Sequence, residues 1–251
     1  MTSGLVGSIR RAYQLGRPSF LLNWLRYSLQ SKRVRCFPLI AGTLRGDGIE
    51  VGGPSVVFQP GRKIPVYPLV SSLTNYGFKA GPSFEYGDRV GRSYDWDAIS
   101  LPVASESCDF VLSSHMLEHA ANPIRALLEW RRIIKPGGCL LLVLPDGKWT
   151  FDHRRPVTSL EHLLSDFKNE TPEDDLTHIQ EAIERTDQEH WSFSDWPEWR
   201  SVFRNNPEHR QVHHHVFDMS LADAVVRRAG FDVLASEHLF PYHLVVFAIR
   251  S

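Results

Sequence analysis

Residues 109–146 read DFVLSSHMLEHAANPIRALLEWRRIIKPGGCLLLVLPD, and three elements follow one another in that stretch. Asp109 to Ser113 has the length and apolar centre of a buried strand. Pro123 to Ile134 repeats its apolar residues at helical spacing behind an Asn-Pro start, and Pro136-Gly137-Gly138 stops it. Cys139 to Leu144 is apolar without interruption, so both of its faces must be covered. Strand, helix and doubly apolar strand make a parallel β-α-β unit, whose crossover is right-handed in nearly all proteins.

Toward the N-terminus, Gly48-Ile-Glu-Val-Gly-Gly-Pro-Ser55 reads as a strand running into a glycine turn. Pro60, Pro65 and Pro68 then argue against a long regular helix before the next strand. Toward the C-terminus the alternation breaks. Residues 147–215 are acidic, aromatic-rich and mostly helical in pattern, with Trp149, Trp191, Trp196 and Trp199, and read as an inserted cap. A helix over Ser220 to Ala229 ended by Gly230 and strands over Phe231 to Ser236 and Leu244 to Ile249 close the chain, the two strands pairing as a hairpin at the sheet edge.

With 251 residues and 42% hydrophobic content, the chain can bury one large core plus a smaller cap without metals or disulfides. Its net charge of -1 is unevenly placed: residues 1–46 hold eight basic residues and no acid, which leaves -9 on the remainder. Within that basic arm, Phe20, Leu21, Trp24, Leu25 and Leu29 recur at helical spacing from Pro18 to Ser31. The stripe is expected to pack on the main domain, with contact to a membrane surface or anionic partner, or a targeting peptide, as the alternatives. No run approaches the roughly 20 apolar residues of a membrane span, and three widely spaced cysteines suit a reduced, cytoplasmic setting.

The stretch from Asp109 to His119, with Asn122-Pro123, Glu129 to Gly138 and Leu140 to Asp146, resembles the later motifs of class I S-adenosylmethionine-dependent methyltransferases of the type 11 kind. The resemblance runs from about Gly48 to Asp146 and resumes over the last thirty or so residues. It implies an α/β fold with a Rossmann-like, mostly parallel seven-stranded sheet and helices on both faces. On that reading residues 47–146 form the cofactor-binding core, 147–215 the cap, 216–251 the closing helix and strands, and 1–46 a helical arm.

The same resemblance implies a cofactor, S-adenosyl-L-methionine, and residues for it. Gly52 and Gly53 fill the place where the backbone approaches the ligand at the carboxyl end of a parallel strand. Glu50 looks like the motif acid that holds the cofactor's amino-acid end. Asp97-Ala98 before Leu101-Pro102 resembles the adenine-binding turn, a carboxylate and a neighbouring amide complementing a donor beside an acceptor. Ser114 completes the set. The turn is Gly52-Gly53-Pro54 rather than the fuller glycine pattern, and no carboxylate stands about twenty residues later where a ribose-binding acid is expected. Asn75 is the nearest residue able to meet a sugar hydroxyl.

For catalysis, His115 and His153 are expected to assist proton removal from the acceptor, histidine being the side chain whose ordinary pKa suits that task near neutrality. Arg154, Arg155 and His214 are expected to contact the acceptor, a small molecule or saccharide. The acidic cap and the lack of an Asn-Pro-Pro-Tyr-like element argue against a nucleic-acid acceptor. A methyltransferase fold that serves as a non-catalytic binding subunit is the main alternative. A third reading takes His115-Met-Leu-Glu118-His119 as an inverted zinc-peptidase motif, but it falls at a strand-to-helix junction instead of inside a helix. His213-His214-His215 alternate in direction if extended, so at most two share a centre, and the expectation is one packed and two exposed or acceptor-facing histidines. No metal site is expected.

Overall fold

A computed structural model describes residues 34–86, 88–187 and 198–251. The helix expected over Pro18 to Ser31, and Trp191 and Trp196 of the cap, lie outside the described residues. The described chain runs through α1 (Phe37–Thr43), β1 (Asp47–Val51), β2 (Ser72–Gly77), β3 (Ser83–Tyr86), β4 (Arg89–Asp95), β5 (Cys108–Ser114), α2 (Pro123–Ile133) and β6 (Ile134–Pro145). It continues through α3 (Leu160–Lys168), α4 (Ile179–Arg185), α5 (Trp199–Arg204), α6 (Asn206–His209), α7 (Met219–Arg228), β7 (Asp232–Leu239) and β8 (His243–Ile249).

The strands form one sheet in the order β3-β4-β2-β1-β5-β6-β8-β7. The five strands β4, β2, β1, β5 and β6 are parallel, and β3, β8 and β7 are antiparallel to their neighbours. The sheet therefore has eight strands where seven were expected. The extra one is β3, whose short Ser-Phe-Glu-Tyr segment buries Phe84 and Tyr86 on one side and pairs with β4 at the edge. Between β1 and β2 the proline-rich segment makes two short 3₁₀ turns and no α-helix.

The doubly apolar strands decide the layering. On β6, Leu140, Leu142 and Leu144 join a core with α2 and α7, while Cys139, Leu141 and Val143 join a second core on the other face with α1 and the segment around Phe58, Ile64 and Tyr67. Helix α2 starts where Asn122 accepts a hydrogen bond from Arg125 N with Pro123 in the first turn. Its buried face includes Trp130 and Ile133, both fully enclosed. The parallel strands consequently present their carboxyl ends together, and the loops after them build the site. Among the described residues no helix is long and apolar enough to cross a membrane.

Candidate active site

Two hollows meet at the carboxyl edge of the sheet. The larger, about 520 Å³, is lined by Val51 and Gly52 after β1, Tyr76 to Phe78 after β2, Asp95 to Ala98 after β4, and His115, Met116, His119 and Ala120 after β5. Glu173, His209, Arg210 and Gln211 reach it from the insertion. The smaller, about 400 Å³, is lined by Ser114, His115, Glu118, His119, Thr150, Phe151, His213, Tyr242 and His243, with Gly52 and Pro54 to Val57 on the opposite wall. Gly52, His115 and His119 belong to both.

The loop bearing Asp97 and Ala98 is held by α2. Trp130 donates its indole N–H to Ala98 O at 3.1 Å, and Glu129 accepts from Leu101 N at 2.7 Å while pairing with Arg132. Asp97 Oδ1 accepts from Ile99 N, and Arg210 approaches Oδ2 at 3.8 Å from its ion pair with Glu173. Residues of the helix motif thus fix a turn some thirty positions earlier.

The glycine turn is explained by protein atoms. Gly52 has φ +82, and a Cβ there would stand 2.5 Å from Met116 Cγ; a Cβ on Gly53 would stand 2.2 Å from the Glu50 carboxyl carbon. Glu50 is fully buried beneath the turn, accepting from Ser55 N at 3.0 Å and from the Tyr67 hydroxyl at 2.7 Å. Burial pushes its carboxyl up to about 7 against those hydrogen bonds. Asn75, also buried, accepts from Gly53 N and donates to Ser93 Oγ. Glu50 and Asn75 therefore brace the turn from below, with their polar atoms committed to the protein, and neither lines the larger hollow.

Ser114 and His115 end β5 in the smaller hollow. His115 adopts φ +53, outside the ordinary range for a side-chain-bearing residue, where the chain leaves the strand. Its Nε2 lies 2.8 Å from His243 Nδ1, and burial with the neighbouring His243 pushes it down to about 3. The other expected acceptor contacts fall elsewhere. His153 lines neither hollow, its ring held to Asp187 at 2.9 Å, and Arg154 pairs with the same carboxylate from an exposed position. Arg155 is buried, bonded to Asp152 and to the carbonyls of His213 and His214. Adjacent arginines on a turn point different ways, and the chain uses one as an internal tie.

All three consecutive histidines are buried; His213 lines the smaller hollow and the other two line neither, where two exposed or acceptor-facing ones were expected. His214 pairs with Asn206 and lies in neither hollow. His215 turns toward Ala121 O and Asp166, and His213 toward Glu118 and Asp152. Leu117 to His119 form a 3₁₀ turn and not the α-helix of an inverted zinc-peptidase motif. Glu118, His119, His213, Tyr242 and His243 were not assigned from sequence. Glu118 and His119 were visible only as part of a motif set aside because its helix was missing.

Residues 86–142 match the Methyltransferase domain family. An uncharacterized methyltransferase of Mycobacterium sp. (strain KMS) is 38% identical over 85 residues, 34% of this chain and 32% of that protein, and one of Mycobacterium tuberculosis (strain ATCC 25618 / H37Rv) is 35% identical over the same shares. The match spans about a third of the length of these relatives. A SAM-dependent methyltransferase from Aquifex aeolicus superposes with a TM-score of 0.44 at 11% identity, covering 82% of each chain. A Pyrococcus horikoshii protein superposes with a TM-score of 0.46 at 14% identity, covering 86% of this chain and 88% of its own. The matched stretch runs through β4, β5 and α2 into β6, so this part of the chain is similar to a methyltransferase domain and sits on an α/β, Rossmann-like fold with its motif residues at the carboxyl ends of parallel strands.

Proposed function

We propose that the protein transfers a methyl group from S-adenosyl-L-methionine, seated in the larger hollow, to a small-molecule or saccharide acceptor in the smaller one. The observation that carries this reading is the shared wall of Gly52, His115 and His119, which lets two separate ligands meet at the sheet edge. The larger hollow fits the cofactor: Tyr76, Phe78 and Trp96 offer apolar faces, and Asp97 with Ala98 offers a carboxylate beside a backbone amide. The bound cofactor supplies an electrophilic sulfonium methyl. The chain contributes proximity and orientation, with Arg210 and Glu173 of the insertion helping to close the donor side.

Of the two histidines expected to act on the acceptor, position supports His115 and not His153. His115 is held neutral at ordinary pH, so it would accept a hydrogen bond from an acceptor hydroxyl and take its proton only as charge develops. Residues 147–215 would then form the acceptor cap through Thr150, Phe151 and His213.

Calorimetric titration with S-adenosylmethionine, with S-adenosylhomocysteine as comparison, tests the donor half. Both should bind, and Gly52→Val should abolish binding in a protein that remains folded, because a branched side chain at φ +82 would meet Met116. Unchanged affinity in that variant would remove the reading. In turnover with an identified acceptor, His115→Ala should lower kcat while leaving the cofactor affinity unchanged. Cofactor binding without turnover on any hydroxylated acceptor would favour the non-catalytic binding subunit.

A further inference from the structure

We propose that Glu118, His119 and His213 form a binding site for one divalent transition-metal ion of the zinc class, with open coordination positions facing the smaller hollow. Their ligating atoms all lie within 4.8 Å of one another. Glu118 Oε1 is 3.9 Å from His119 Nε2 and 3.9 Å from His213 Nε2, and His115 Nδ1 stands 3.8 Å from the same oxygen. Two ligands on one tetrahedral zinc at the usual bond lengths are about 3.3–3.5 Å apart, so each histidine needs to draw toward Glu118 by roughly half an ångström, and the two histidines toward each other from a separation within 4.8 Å.

Two independent observations point to a cation. First, Glu118 is fully buried and neither of its carboxylate oxygens has a hydrogen-bond partner. An isolated buried carboxylate is costly unless a cation or a donor faces it. Second, both histidines are prepared as ligands. His119 Nδ1 lies 3.0 Å from Val212 O, and a carbonyl can only accept, so Nδ1 carries the hydrogen and the lone pair is on Nε2. His213 Nδ1 lies 2.5 Å from the Asp152 carboxylate, which fixes the same tautomer. Asp152 is in turn held by Arg155 at 2.9 Å. A carboxylate or carbonyl behind each imidazole is how metal-ligating histidines are oriented.

Both Nε2 atoms and the orphaned carboxylate belong to residues lining the smaller hollow, so the ion would keep positions for water or another oxygen ligand. That an acceptor oxygen would occupy one of them rests on the methyl-transfer reading above; zinc binding itself does not. A second histidine group, His162, Asp166, His178 and His215, lies within residues 147–215. There His162 and His178 present Nε2 to each other at 3.1 Å, which one proton satisfies, and His215 Nε2 is 3.2 Å from Ala121 O.

The test is calorimetric titration of the full, chelator-stripped chain with zinc chloride, without S-adenosylmethionine, alongside the visible spectrum of the cobalt(II) form. Wild type should bind zinc, and cobalt should show the intense bands of a four- or five-coordinate site. Glu118→Gln, which keeps the shape, should weaken zinc binding by more than about 100-fold, and Asp152→Asn by about 10- to 100-fold. His178→Ala should leave the affinity of this site unchanged. Should Glu118→Gln fail to fold by circular dichroism, His213→Asn takes its place. The proposal is overturned if wild type binds no zinc, if zinc binding survives loss of Glu118 or His213, or if His178→Ala removes it instead. Because the readout omits the cofactor, failure here leaves the methyl-transfer reading standing, and failure of cofactor binding leaves this one standing.

Discussion

The larger hollow takes most of its walls from turns that directly follow β1, β2, β4 and β5, whereas the smaller one adds to the turns after β1 and β5 the side chains of Thr150, Phe151, His213, Tyr242 and His243 from three distant stretches. In the first, some of the polar braces are short-range, Glu50 reaching Ser55 and Asp97 reaching Ile99, and α2 ties the Asp97 turn through Trp130 and Glu129 from about thirty positions away. In the second, Arg155 spans 58 positions to His213 and His119 spans 93 to Val212. A site made of strand-end turns can be written as local motifs. A site made of convergent side chains depends on the fold being complete, and its parts should fail together when one tie is cut.

The largest expected effect follows from cutting such a tie. Arg155→Met removes a buried guanidinium from Asp152 and from two carbonyls, leaving a buried carboxylate whose remaining side-chain contact among the described residues is the His213 ring. Breaking a buried pair in this way costs about 3–5 kcal/mol, to be read by chemical denaturation. In the folded fraction the cofactor affinity should change by less than about twofold, since Arg155 does not line the larger hollow. Equal damage to stability and cofactor affinity would show that the two hollows are one cooperative unit.

A smaller effect separates the two roles that can be given to Glu50. Its folded-state carboxyl is raised from 4.5 to about 7, so the protonated form is favoured in the fold. That contribution to stability is fully present below about pH 4.5 and is lost as the pH rises through 7, a change of roughly 3 kcal/mol. Glu50→Gln lacks the titration, so its stability should gain on wild type by about that amount between those limits, with cofactor affinity within a few-fold. Parallel pH profiles would sink the assignment. A cofactor affinity that falls more than about tenfold would restore the carboxylate to the role that the family resemblance implies.

The same contrast explains what could be read in advance. The β5-α2-β6 unit was legible because burial on both faces leaves an unbroken apolar run and because Asn122-Pro123 marks the helix start; the helix ends at Ile133, and Pro136-Gly137-Gly138, read as its stop, falls inside β6. The strand β3 was not, since four residues of alternating Ser-Phe-Glu-Tyr after Gly81-Pro82 look like a turn until β4 supplies an edge to pair with. Arg154 and Arg155 are indistinguishable as neighbours in sequence, yet one is exposed and the other is an internal tie. His213 to His215 were read as alternating along an extended segment, but the chain bends there: His213 faces Glu118 and Asp152 while His214 and His215 both pack near His178. The grouping of His213 with Glu118 and His119 needs the 93 residues between His119 and His213 to be folded, and no local pattern encodes it.

The smallest effect is expected at Asp97, where the resemblance and the geometry bear on a single carboxylate. Asp97→Asn keeps the oxygen that accepts from Ile99 N, so the turn should stay in place, supported also by Trp130 on Ala98 and Glu129 on Leu101. What the variant loses is charge and one acceptor, facing the larger hollow beside Arg210. A charge-assisted hydrogen bond exceeds a neutral one by about 1–1.5 kcal/mol, which corresponds to roughly tenfold weaker binding of S-adenosylmethionine. Adenosine should lose affinity by a similar factor, because the carboxylate is assigned to the adenine and not to the amino-acid end. Methionine should bind the variant and wild type alike. If adenosine were unaffected while S-adenosylmethionine weakened, Asp97 would be acting on the cofactor's positive charge at a distance, and the adenine would have to sit elsewhere in the hollow.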